Sequence, residues 1–159
     1  IDGLGHGPAA REASARAVAT MLASPHLPLD ELLARADREL VGSRGAVMAA
    51  ARIDLLAATV THAAIGNITT RLHGPDGGFR GLLSAAGTLG VSRPARRVVP
   101  ETVPFAPPQV LTLVSDGIVS RVDLTGAGTL LRRHPLVIAH HLLTRFARGT
   151  DDAVVVVVR

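Results

Sequence analysis

The sequence predicts a single layered domain of mixed α and β structure, and three observations predict it. Its 159 residues are 47% hydrophobic, enough to close one core. Two adjacent apolar stripes near the start repeat at helical spacing. Short apolar runs bounded by turn signals follow, ending in five consecutive valines at 154–158. A run that is apolar on both faces belongs inside a layered structure.

Taken in order, residues 1–7 read as a strand end running into a glycine-rich turn. Pro8 suits the first position of a helix, where a missing N–H costs nothing. Ala10, Ala13, Ala17 and Met21 then form one stripe, with Arg11, Glu12 and Arg16 off it. Pro25 and Pro28 end that helix. The next carries Leu29, Leu32, Leu33, Ala36 and Leu40 on one face, with Asp30 near its start and Gly42 as its stop. Residues 46–53, 59–65 and 68–72 read as strands, separated by Asp54 and by Gly66-Asn67. Residues 74–78 form a loop, and 82–91 skirt a sheet edge. Residues 98–105 read as a strand broken by Pro100 and Pro104, hence an edge or a bulge. A turn at 107–108 leads to a compact apolar strand, 110–114, that delivers Ser115-Asp116-Gly117. A helical or irregular connection runs to Leu131. Pro135 opens a helix with Ile138, Ala139, Leu142 and Phe146 inward and Gly149 as its stop, and the valine strand closes the chain.

Composition narrows the function. There is no Cys, so disulfides and thiolate metal sites are excluded, in keeping with a reducing cytosol. No stretch nears the roughly 20 apolar residues of a spanning helix, and the first residues have no signal-peptide pattern. The net charge is +4, and all 17 basic residues are Arg. They are scattered, and the only aromatics are Phe79, Phe105 and Phe146, which argues against nucleic-acid binding.

Three acidic spots share a context. Asp2 precedes Gly3 and Asp116 precedes Gly117, both at strand ends. Asp151 and Asp152 stand just before the valine strand. Carboxylates at adjacent strand tips can aim at one point, and Mg²⁺ or Mn²⁺ wants oxygen ligands. A glycine after the Asp lets its carbonyl approach an ion. Taken singly, each spot also reads as an ordinary turn; the metal reading rests on all three together.

Asp2-Gly3-Leu4-Gly5-His6-Gly7 resembles the Asp-Gly-x-Gly-His-Gly signature of the SpoIIE-type branch of metal-dependent protein serine/threonine phosphatases (PPM class). Gly66-Asn67, the Ser115-Asp116-Gly117 strand end and Asp151-Asp152 resemble that branch's later markers, in the same order. Ser43-Arg44-Gly45-Ala46-Val47 is most similar to RsbX-like phosphatases. The resemblance implies an α+β fold of two packed, mainly antiparallel sheets flanked by helix pairs. It implies two Mn²⁺ or Mg²⁺ ions, bridged by Asp2, with the Gly3 carbonyl on them and with Asp116 and Asp151 on one ion. Asp152 would play a lesser part. The implied reaction is in-line attack of a metal-activated water on phosphoserine or phosphothreonine. The implied partner is a phosphorylated STAS-domain protein of a stress-signalling complex, in the cytoplasm and away from membranes. Family members have about two strands and a further acid before the hexapeptide. The expectation is therefore one phosphatase domain over 1–159 that lacks its N-terminal strands, with a catalytically impaired regulatory scaffold as the alternative.

His6, beside Asp2, reads as a catalytic candidate that polarises water or assists the leaving oxygen, or else as a residue bonding the turn. His140 and His141 point about 100° apart on a helix, which disfavours a metal pair. His62 reads as a core histidine. Arg93, Arg96 and Arg97 form the densest basic group, a solvated patch or a contact for an acidic partner. The two N-terminal helices resemble the branch's regulatory switch pair, or else form a fixed packing layer.

Overall fold

The computed structural model describes residues 1–91 and 97–159. Along them run β1 (Asp2–Gly3), α1 (Pro8–Ala23), α2 (Leu29–Glu39), β2 (Ala46–Asp54), β3 (Thr59–Ile65), β4 (Thr69–His73), β5 (Phe79–Leu82), β6 (Glu101–Pro104), β7 (Val110–Val114), α3 (Gly128–Leu131), α4 (Pro135–Phe146) and β8 (Val155–Val158). The strands form two four-stranded sheets, ordered β1-β2-β3-β6 and β5-β4-β7-β8, with every pairing antiparallel. The chain crosses from the first sheet to the second at Gly66-Asn67, between β3 and β4.

The alternation of side chains along each strand distributes the core. Ala46, Met48 and Ala50 of β2, with Ala63 and Ile65 of β3, face α1 and α2. On α2, Leu29, Leu32, Leu33 and Ala36 are buried, and Leu40 follows them in the same cluster. Each buried leucine contributes roughly 1.5–3 kcal/mol of transfer free energy. Asp30 and Glu31 in its first turn and Arg38 in its last suit the helix dipole. Helix α1 buries only small side chains, Ala10, Ala13, Ala17 and Thr20, so it lies close on the sheet. Val60, Leu72, Val103, Phe105 and Leu111 fill the space between the sheets. Val110 and Val114 of β7 pack against Ile138 and Leu142 of α4 on the far side. The result is helix, sheet, sheet, helix.

Three expectations are corrected, and a fourth lies largely outside the described residues. The valine run is not interior: β8 pairs only with β7, and Val154 and Val156 are 48% and 46% exposed. Residues 98–105 yield only the short β6, which starts after Pro100, because proline cannot donate to a ladder. β6 is an edge strand, as its prolines required. Helix α4 stops at Phe146, three residues before Gly149, and its Ala139 and Phe146 are only half-buried. Arg93 and Arg96 lie outside the described residues, and Arg97 is exposed.

Two histidines sit deep in the fold. His62, 1% exposed, joins the two sheets through Nε2 to Thr70 Oγ1 at 3.0 Å. His73, also 1% exposed, meets Thr112 Oγ1 at 3.1 Å. Burial holds both below the ordinary 6.5, against the pull of Glu101 on His62 and of the Gly77 backbone on His73. The unfolded chain therefore binds more protons as pH falls through 6.5. The contribution of neutral histidine is complete above that pH and is lost progressively below it. Urea midpoints should fall between pH 7 and 5, and a His62→Gln/His73→Gln variant should show a flatter profile. Parallel profiles would refute this account.

Candidate functional site

The site is built where the two sheets end together. β1 pairs Asp2 with Val47 and Gly3 with Ala46, which places Asp2 at the edge of the first sheet. Leu4 N–H donates to the Gly45 carbonyl at 2.9 Å, and the chain then turns through Gly5 and Gly7 at φ 79° and 84° into α1. Gly3 has no room for a side chain: a Cβ there would lie 2.1 Å from the Ala10 carbonyl oxygen.

On the second sheet, β7 ends in Ser115-Asp116-Gly117. Ser115 N–H donates to the Val154 carbonyl at 3.1 Å, and Val154 N–H donates to Ser115 Oγ at 3.0 Å. A Cβ on Gly117 would fall 2.1 Å from the Asp152 carbonyl oxygen, so the Asp116 turn lies directly on the Asp151-Asp152 segment. Arg148 closes the arrangement: its Nε donates to the Asp116 carbonyl at 2.7 Å and its N–H to the Gly117 carbonyl at 2.8 Å. Asn67, at the sheet crossing, donates from Nδ2 to Asp116 Oδ2 at 2.7 Å.

Asp2, Gly3, Asp116 and Asp151 line one open pocket of about 380 Å³, together with His6 and Asp152. All four residues expected as metal ligands therefore meet there. His6 is exposed at its rim, and its carbonyl receives a long contact of 3.5 Å from Arg44 Nη1. His140 and His141 do not line this pocket; His141 packs edge-on against Phe146.

The Asp2 carboxyl is pushed above its usual range, first by burial and then by repulsion from Asp116, Asp152 and Asp151. The donors are carboxylates and a glycine carbonyl, the set that a hard divalent cation takes, and bound positive charge would relieve the repulsion. In this chemistry the residues fit Mg²⁺ or Mn²⁺. Among the described residues, no three His, Asp or Glu groups already stand together closely enough to hold an ion. They line the pocket from both sheets.

Arg148 carried no signal in the sequence, since its partner lies 32 residues away. Asn67 was legible as part of a Gly-Asn marker, but its bond to Asp116 was not.

The family model described as Stage II sporulation protein E (SpoIIE) matches residues 1–159. A chain solved in work on the bacterial stressosome, described as a modular system adapted to control secondary messenger signalling, is 30% identical; the match covers 99% of this chain and 81% of that one, with TM-score 0.85. RsbX in complex with magnesium is 20% identical, over 98% of this chain and 76% of its own, with TM-score 0.80. The PP2C phosphatase domain of SpoIIE from Bacillus subtilis, solved with a fragment of its regulatory domain, is 18% identical, over 99% and 52%, with TM-score 0.71. No curated protein matches the sequence significantly.

Proposed function

The chain belongs to the SpoIIE family and has the fold of the PP2C protein phosphatases, and from that premise we propose that it is a metal-dependent protein serine/threonine phosphatase, one domain over residues 1–159. The observation that carries this reading is the meeting of Asp2, Asp116, Asp151 and Asp152 in one pocket, with the Asp2 carboxyl under the repulsion of the others. Asp2, Asp116 and Asp151, with the Gly3 carbonyl, would hold Mn²⁺ or Mg²⁺. When bound, a pair of such ions lowers the pKa of water and offsets charge on attacking and leaving oxygens.

The chain's own residues supply the rest. Arg148 fixes the backbone from which Asp116 projects. Gly3 lies against α1 with no room for a side chain, which fixes its place beside Asp2. His6, exposed at the rim, would hand a proton to the departing seryl or threonyl oxygen. The substrate we propose is a phosphorylated STAS-domain protein, or a similar regulatory phosphoprotein, of a stress-signalling complex. The 30% identity to a chain from stressosome work supports that class. We place the protein in the cytoplasm; no helix among the described residues is long and apolar enough to cross a membrane.

The test is release of phosphate from a phosphoserine peptide with Mn²⁺, abolished by chelation. One second reading is a scaffold of the same fold without turnover. Mn²⁺ binding without phosphate release from any phosphoserine or phosphothreonine substrate would select it. Under either reading, Mn²⁺ at about 100 times its dissociation constant should add about 2.7 kcal/mol. At roughly 2–4 °C per kcal/mol for a chain of this size, melting should rise by roughly 5–10 °C. An unchanged melting point would count against the metal site.

A further inference from the structure

We propose that Asn67 is a positioning residue that holds the Asp116 carboxylate in one orientation, committing Oδ2 to its own amide and leaving Oδ1 to a cation. The proposal rests on the metal-site reading above and extends it to a residue outside the expected ligand set.

The bond at 2.7 Å has only one sense, because a carboxylate can only accept; Asn67 must present its NH₂ group. The bond also joins the sheet crossing after β3 to the end of β7, 49 residues apart. The Asn67 backbone is itself fixed. Gly66 beside it adopts φ 99°, and a Cβ on Gly66 would lie 2.1 Å from Val47 Cγ1, so the crossing lies against β2. Val47 in turn is the strand partner of Asp2. One short segment therefore supports the acids of both sheets. Ser84 Oγ adds a bond to the Gly66 carbonyl at 2.8 Å.

The chemistry explains why an amide serves here. A hydrogen bond to a ligating carboxylate fixes its rotamer, and losing such a partner typically costs about 10–100-fold in metal affinity. Asp116 already has its backbone carbonyl held by Arg148, so its remaining freedom is rotation of the carboxylate, the motion that Asn67 removes. A neutral donor does this without adding a charge to the repulsion on Asp2. A carboxylate at 67 would add one and would have no hydrogen to donate.

The experiment is Mn²⁺ titration of the purified protein, reading free Mn²⁺ by electron paramagnetic resonance, for wild type, Asn67→Ala and Asn67→Leu. Asn67 is exposed, so metal-free melting should stay unchanged in at least one variant. We expect the Mn²⁺ dissociation constant to rise about 10–100-fold. Wild-type affinity in a folded variant would overturn the proposal and leave the phosphatase reading intact. The expected affinity loss without phosphate release by wild type would sustain the proposal and overturn that reading. Absence of Mn²⁺ binding by wild type would overturn both.

Discussion

Asp116→Asn should reduce Mn²⁺-dependent hydrolysis of a phosphoserine peptide about 10²–10³-fold in kcat/KM. A bound ion is worth several kcal/mol of transition-state charge stabilisation, and each 1.36 kcal/mol is a factor of ten. The substitution keeps the shape of the side chain and leaves the backbone contacts of the turn in place, from Arg148 to the Asp116 carbonyl and from Ser115 to Val154. It also deletes the largest charge–charge repulsion on Asp2. Metal-free melting should therefore stay level or rise while activity falls. Opposite signs in the two measurements separate loss of a ligand from loss of the fold. Equal turnover by variant and wild type would sink the assignment.

Gly3→Ala should lower the melting temperature by roughly 3–10 °C, from about 1–3 kcal/mol of overpacking in a domain of this size. The new methyl would stand 2.1 Å from the Ala10 carbonyl oxygen and 2.8 Å from Ser14 Oγ. The first of these is backbone inside α1, so no rotamer change relieves it, and either the helix or β1 must move. Movement of β1 displaces the Gly3 carbonyl and Asp2 with it, and phosphatase activity should fall beyond what the loss of stability explains. Calorimetry without metal checks the first effect, and turnover at a temperature well below both melting points checks the second. An unchanged melting point would mean that α1 does not rest on Gly3 as described.

The helices were legible because their signal is local. The leucines of α2 repeat every three to four residues, and all of them are buried. The positions of β2, β3 and β4 were also readable, since Asp54 and Gly66-Asn67 interrupt the apolar runs where the chain turns, whereas β5 gave no such run. The partner of each strand was not readable. The valine run shows the limit: hydrophobicity reports what covers a strand's faces and says nothing of its lateral neighbours, so an edge strand read as interior. The site divides the same way. Asp2, Asp116 and Asp151 drew attention through their shared strand-end context and then through motif resemblance, whereas each alone was an ordinary turn acid. Arg148 and the Asn67–Asp116 bond depend on contacts across 32 and 49 residues, which no local pattern encodes.

The pocket takes Asp2 from one sheet and Asp116 from the other, so its dimensions are those of the seam between them. A close-packed interior transmits changes in its spacing, while metal–ligand distances hold to within about 0.2 Å. The pocket is accordingly a gauge for the gap that Val60, Leu72 and Leu111 maintain. Conservative exchanges at those three positions should retune cation affinity from the middle of the sandwich, out of reach of any ligand. The interior of this fold would then act as the calibration of its chemistry, with the width of a valine or a leucine as the setting.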